Sequence, residues 1–391
     1  MPPISDAAAF PEPIACDIFC TVVDNFGDIG VCWRLASQLA REHGWQLRLI
    51  VDDLYTFASL APVVDPAARR QYVEGIAIEH WAEPVYVVGT LAIADVVIEA
   101  FGCELPTEYV AAMARRDRAP AWIDLEYLSA EDWVTEFHQR PSPHLRHALL
   151  KNFFFPGLRR GTGGVLKEAG LDARREAFAA SLEAREAWWQ RATGGPAPAY
   201  DACVISLFAY ENPSLGPLLE QWCNGEFPVV LLVPEGRICR AISTFFGLER
   251  FFTGSRASAG RLSVHGLAFV AQPDYDALLW ISDLNFVRGE DSFVRAQWAR
   301  KPCVWHIYPQ SEDAHLPKLD AALSHLTAGL PEPAREAAAR FWHAWNGAGT
   351  PNWSDFITHR AAFEARSEAW AEELAAVGDL ASNLVEFIKT Q

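Results

Sequence analysis

Two acidic residues, Asp24 and Asp28, stand four positions apart in "DNFGDIGVCWR", directly after the apolar run "CDIFCTVV". Carboxylates at that spacing can hold a cation, or accept its proton as it reacts. A turn between a strand and a helix more often carries one Asp as an N-cap, its carboxylate bonded to backbone N–H groups. One cap needs one carboxylate, so the pair points past capping. Gly27 and Gly30 let the backbone approach a bound group closely. Phosphate-holding turns are usually neutral, and two negative charges speak against that use here.

A second constellation lies in "FVRGEDSFVRAQWA", where a strand-like run ends and a helix begins near Ser292. Glu290, Asp291 and Ser292 are ordinary first-turn residues. The same geometry leaves N–H groups and the positive end of the helix dipole facing outward, a seat for phosphate, while Glu290 can accept hydrogen bonds from sugar hydroxyls. In "LFAYENP" the hydroxyl of Tyr210 can reach a phosphate oxygen. "LAFVAQPDYDALL" supplies Phe269, Gln272 and Tyr275, two rings that can stack on a nucleobase and an amide that can pair with its edge. Taken singly, each ring is more often a core residue than a ligand contact.

Other chemistries lose ground. The first strand is followed only by G-x-x-G, no P-loop string occurs, and neither H-E-x-x-H nor a paired Cys/His spacing supports a bound transition metal. The 11 histidines are dispersed, and the eight cysteines form no C-x-x-C, which fits a reduced, cytoplasmic compartment. "MPPISDAAAFPEPIA" lacks the basic start and apolar core of a signal peptide. Runs such as "PVVLLVP" fall far short of the ~18 residues of a membrane span. A formal charge of −17 argues against nucleic-acid and anionic-membrane partners and suits a cationic one.

The elements that must position these residues alternate along the 391-residue chain, which is long for a single core. "CDIFCTVV", "WQLRLIVDD", "ADVVIEAF" and "PAWIDLEYL" read as strands of a first domain, 1–170. Its first helix, "VCWRLASQLAREH", ends at Gly44, with Arg34, Arg41 and Glu42 on its polar side and Leu35 and Leu39 inside. Residues 171–197 form a helical linker broken at "TGGPAPAY". A second domain, 198–358, contains "DACVISLFAY", "FPVVLLVP", "LSVHGLAFV", "SDLNFVRGE" and "KPCVWHIYP". The helical tail from about 360 to 391 is expected to pack back on the first domain. Near-continuous Val/Ile/Leu strands separated by helices predict parallel sheets covered on both faces. The expected fold is α/β, two Rossmann-like domains facing across a cleft, with ligands beyond the carboxyl ends of the strands.

"DIFCTVVDNFGDIGVCWRLA", "WIDLEYLSAE", "FVAQPDYDALL" and above all "RGEDSFVRAQWARKPCVWHIYPQ" closely resemble the EF-P arginine rhamnosyltransferases (EarP), inverting glycosyltransferases of GT-B architecture. The resemblance covers most of the chain. It implies transfer of L-rhamnose from dTDP-β-L-rhamnose to an arginine of translation elongation factor P, with no cofactor or metal. It places the general base at Asp28, with Asp24 as the neighbouring acid. Glu290, Asp291 and Ser292 fall in the donor-binding turn, with Glu290 also counted as catalytic. Tyr210 falls at the diphosphate, and Phe269, Gln272 and Tyr275 at the nucleoside, with a different aromatic type expected at the last position. Phe26 and Gly27 join the donor-binding set. A retaining enzyme of this architecture often has a second acid eight positions after the first, where Glu290 is followed by Trp298. Another GT-B nucleotide-sugar enzyme, such as an epimerase, would also need the second turn but not the acid pair, and a non-catalytic nucleotide-binding protein would need only the nucleoside pocket.

Overall fold

Six residues with one polar interruption, Ala15–Cys20, form the central strand of the first sheet. The structure is a computed structural model and describes residues 13–23, 26–81, 92–269 and 272–391. Its chain divides into two compact units: Met1–Ala169 with Leu374–Gln391, and Gly170–Glu373.

The first unit holds β1 (Ala15–Cys20), β2 (Gln46–Val51), β3 (Arg70–Val73), β4 (Ile76–His80), β5 (Val96–Ala100), β6 (Ala121–Leu125), β7 (Pro141–Pro143) and β8 (Leu150–Phe154), in the order β3-β4-β2-β1-β5-β6-β8-β7. The inner pairs are parallel, and β3 and β7 close the two edges as antiparallel hairpin strands. Prolines at both ends of β7 suit an edge, where a missing N–H costs no ladder bond. Both hairpins are absent from the expected strand list because they are short and half-exposed. The polar interruption in β1, Asp17, is buried, and the Arg48 guanidinium bonds both its oxygens, at 2.8 and 2.5 Å. The Tyr109 hydroxyl donates to it as well. A buried carboxylate held by a planar cation keeps its charge matched inside the sheet.

The helix Phe26–His43 follows β1 and buries Ile29, Cys32, Leu35, Ala36 and Leu39. It starts five residues ahead of "VCWRLASQLAREH" and ends before Gly44, whose φ is +69°. Arg34 departs from the expected polar face. Its side chain is only 7% exposed and ion-pairs with Glu168 at 3.1 Å, so the charge is matched inside the fold.

The second unit contains β9 (Cys203–Leu207), β10 (Val229–Pro234), β11 (Arg256–Ala259), β12 (Leu262–Leu267), β13 (Leu284–Arg288) and β14 (Cys303–His306), in the order β11-β12-β10-β9-β13-β14. Only β11 runs antiparallel to its neighbour. Ser206 of β9 donates to Asn285 of β13 at 2.6 Å, a fully buried tie between these two neighbouring strands.

The unit boundaries correct those expected from composition. Residues 171–197 carry the helices Leu171–Ala180 and Leu182–Thr193 and belong to the second unit. Most of the helix Arg360–Ala375 does too, with Trp370 donating to Gln297 at 3.0 Å. Only from Leu374 does the chain rejoin the first unit. There the helix Leu380–Lys389, capped by Asp379, sets Leu380, Leu384, Phe387 and Ile388 into the core beside Phe154 and Leu166. Gly164 is tied to this return, because a methyl group on it would collide with the carbonyl of Gly378.

Candidate active site

In both sheets the chain order reverses beside the first strand of the unit. β1 lies between β2 and β5, and β9 between β10 and β13. Loops at the carboxyl ends of such strands diverge and leave room for a ligand.

In the first unit, Asp28 sits in the first turn of the helix after β1 and is 2% exposed. Its Oδ2 accepts from the Val23 N–H at 2.7 Å, so the carboxylate also shapes the turn. Asp52, just beyond β2, accepts from the adjacent Val22 N–H at 2.9 Å. His80 Nε2 lies 2.9 Å from the Asp52 carbonyl oxygen. Two carboxylates thus hold consecutive amides at the end of β1. The Cys20 thiol beneath them is pushed well up, first by its hydrogen bond with Cys32, then by burial and by the charges of Cys32, Asp28 and Asp52. Asp24 lies outside the described residues. Phe26 and Gly27 open the same helix, both half-buried, with Phe26 packed against the core.

In the second unit, the helix Gly289–Trp298 follows β13 through Gly289, whose φ of +58° lets the chain turn without Cβ strain. The helix therefore begins at Gly289, three residues before the expected start. Ser292 is buried. Its hydroxyl accepts from the Arg288 N–H at 3.0 Å and donates to the Arg288 carbonyl, which pins the turn. The Arg288 guanidinium lies 4.4 Å from the Phe208 ring centroid and 4.8 Å from that of Tyr210. Tyr210 meets His306 and Tyr308 edge-on at 5.2 and 5.6 Å. On the other side, Phe208 contacts Tyr275 at 5.8 Å and Phe269 at 6.4 Å. Tyr275 is buried, and burial raises its hydroxyl pKa. Gln272, also buried, opens the helix Gln272–Ile281. The buried pair Arg295–Asp276, 2.8 and 2.6 Å, fastens that helix to the one carrying Ser292. Glu290 pairs with Lys318 at 2.5 Å, and Asp291 beside it is half-buried.

The structure thus gathers Tyr210, Phe269, Tyr275 and Ser292 around Arg288 and Phe208, with Glu290 in the same turn. Arg288, Phe208, Lys318 and Asp52 were not among the residues read from the sequence. The one available signal was "RGEDS", a cation directly ahead of a helix start. Chemically, a guanidinium over two rings at a helix N-terminus is a seat for anionic oxygens. The buried Asp28 is a carboxylate that can orient a cation or take its proton. Among the described residues no cluster of three or more His, Cys, Asp and Glu side chains could hold a metal ion, and no helix is long and apolar enough to cross a membrane.

Two Rossmann-like units, each with polar side chains at the carboxyl end of its switch point, are the GT-B architecture, which glycosyltransferases share with sugar-nucleotide epimerases. A glycosyltransferase from Rickettsia africae shares the fold, with a TM-score of 0.52 and 10% identity, covering 97% of this chain and 99% of that one. The family model described as Elongation-Factor P (EF-P) rhamnosyltransferase EarP matches residues 16–389. A protein-arginine rhamnosyltransferase of Pseudomonas putida is 47% identical over 376 residues, covering 95% of this chain and 98% of its own. A solved structure from a study of EarP-mediated arginine glycosylation of translation elongation factor EF-P has a TM-score of 0.67 and 35% identity, covering 97% of this chain and 99% of that one. The chain belongs to the EarP family of rhamnosyltransferases, and it is an enzyme of the glycosyltransferase class.

Proposed function

We propose that this enzyme moves L-rhamnose from dTDP-β-L-rhamnose to an arginine side chain of translation elongation factor P, with inversion at the anomeric carbon and without a metal. The place of action is the cytoplasm, where a translation factor is found. The observation that carries the donor half is the Arg288 guanidinium, held by Phe208 and Tyr210 at the head of the Gly289–Trp298 helix. That cation and the helix N-terminus supply the positive charge a departing diphosphate needs. Phe269, Gln272 and Tyr275 take the thymidine, and Glu290, steadied by Lys318, accepts from sugar hydroxyls.

The acceptor half falls to the first unit. A free Asp, pKa ~4, does not deprotonate a guanidinium, pKa above ~12, in a separate ground-state step. The proton therefore moves late. The arginine nitrogen forms its bond to C1, the C1–oxygen bond to the diphosphate breaks, and the nitrogen's proton passes to the Asp28 carboxylate. Asp24 holds the cation or supports the turn. Attack opposite the leaving group is one displacement, which inverts the centre and needs no enzyme nucleophile. Trp298, buried and apolar, stands where a retaining relative often has a second acid.

Incubation of the purified protein with elongation factor P and dTDP-β-L-rhamnose, followed by mass spectrometry, tests the reading. One arginine should carry a deoxyhexose increment. No increment, or an increment on another side chain, rejects it.

A further inference from the structure

The carboxyl edge of the first sheet carries a second cluster beside that of Asp28. β1, β5 and β6 are neighbours, so the loops after β5 and β6 start one and two strand spacings from the end of β1, about 5 and 10 Å. The loop after β5 is strained. Phe101 and Glu104, both non-glycine, have φ of 57° and 51°, at a cost on the order of 1 kcal/mol each. The Phe101 N–H donates to the Leu125 carbonyl at 2.7 Å. This holds the Phe101 ring against that of Tyr127, centroids 4.7 Å apart and planes 22° from parallel. Tyr127 is 37% exposed.

On the strands that lead into these loops the charge is unbalanced. Lys151 pairs with Glu99 at 3.3 Å and with Asp124 at 2.7 Å. The second oxygen of Asp124, Oδ1, is buried and has no hydrogen-bond partner among the described residues. Glu126 adds a third carboxylate, half-buried, whose pKa is raised by burial first and by the charge of Asp124 next. Three carboxylates are set against one ammonium, and one of them, Glu126, is the chain neighbour of Tyr127, so the formal charge beside that ring is negative. A stacked aromatic pair beside excess negative charge suits a guanidinium, which is planar, cationic and readily stacked.

We propose that Tyr127, stacked on Phe101 and flanked by Glu126, is the surface on which the cationic, arginine-bearing loop of the acceptor protein docks. The inference rests on the acceptor reading given above and names the surface that reading lacks. Two strand spacings leave Asp28 to the reacting arginine and Tyr127 to the loop residues beside it.

The test uses the full chain and elongation factor P, with Tyr127→Ala, Tyr127→Phe and Glu126→Gln, measuring calorimetric binding of the acceptor and of dTDP. Tyr127→Ala should weaken acceptor binding about ten-fold or more and leave dTDP binding unchanged, whereas Tyr127→Phe stays within about two-fold. Glu126→Gln, which keeps the shape and removes the charge, should weaken the acceptor and not the nucleotide. Acceptor binding by Tyr127→Ala or Glu126→Gln equal to wild type overturns the proposal, as does equal loss of acceptor and nucleotide. If wild type binds elongation factor P but transfers nothing to it, the transfer reading falls, and the docking surface is still judged by the binding arms.

Discussion

The Arg288 guanidinium lies 4.8 Å from the Tyr210 ring centroid and 4.4 Å from that of Phe208, so one cation is shared between two rings that follow β9. The strand that carries Arg288 lies next to β9 in the sheet. The stack fixes where the charge points, and a planar guanidinium fills that role better than an ammonium.

Arg288→Lys keeps the charge and loses the planar fork and much of the stack. It should weaken dTDP binding by about ten-fold, and Arg288→Met by about thirty-fold or more, a range set by charge-assisted hydrogen bonds of roughly 2 kcal/mol. Calorimetry with dTDP checks both. Unchanged affinity in Arg288→Met would remove this residue from the donor seat.

Ser292→Ala removes a hydroxyl that accepts from the Arg288 N–H and donates to its carbonyl. A buried N–H loses its partner, so unfolding free energy should drop by about 1–3 kcal/mol. Donor binding should weaken more than acceptor binding, since the turn that holds Arg288 loosens. Glu290→Ala should show the same donor preference, without the loss of stability. Denaturant midpoints and the two binding constants separate these effects.

Acid sensitivity has one named source in His306. Burial, then the charges of Arg288 and His315, lower its pKa from 6.5 to about 4. Its Nδ1 is buried without a hydrogen-bond partner among the described residues. The unfolded chain therefore binds this proton more readily than the folded one. The contribution to stability is complete above pH 6.5 and is lost as the pH falls toward 4, an amount of up to about 3 kcal/mol. Below that no more is lost through this residue. His306→Asn should lose less stability than wild type between those two pH values. Parallel stability–pH curves for the two proteins would contradict this.

How much of this was legible in the sequence depended on how far each residue's environment follows from its neighbours in the chain. β1, β2, β5, β6, β9, β10, β12, β13 and β14 were readable because strands buried on both faces are continuous apolar runs. The hairpin β3–β4 and strands β7, β8 and β11 were not, because these short strands at or next to the sheet edges mix polar and apolar residues. Helix periodicity put Arg34 on the outer face, yet Glu168, remote in sequence, draws it inward. Asp28, Tyr210, Glu290 and Ser292 could be singled out as candidates because turns after strands are visible as composition changes. Arg288 was passed over. Its residue type says nothing of a stack on Phe208 and Tyr210, which are 80 and 78 positions earlier. Asp52 has the same history, since its bond to Val22 exists only once β1 and β2 are paired.

The central claim is that Asp28 acts on the nucleophile while the second unit seats the leaving nucleotide, and Asp28→Asn tests it most directly. Asparagine keeps an oxygen for the Val23 N–H, so the turn survives while the proton acceptor is gone. Rhamnosyl transfer to elongation factor P and calorimetric dTDP affinity are to be measured on the same preparation. The account predicts that transfer falls by about 10²–10⁴-fold with dTDP affinity unchanged. Near-normal transfer, or nucleotide binding lost in step with it, would contradict the account.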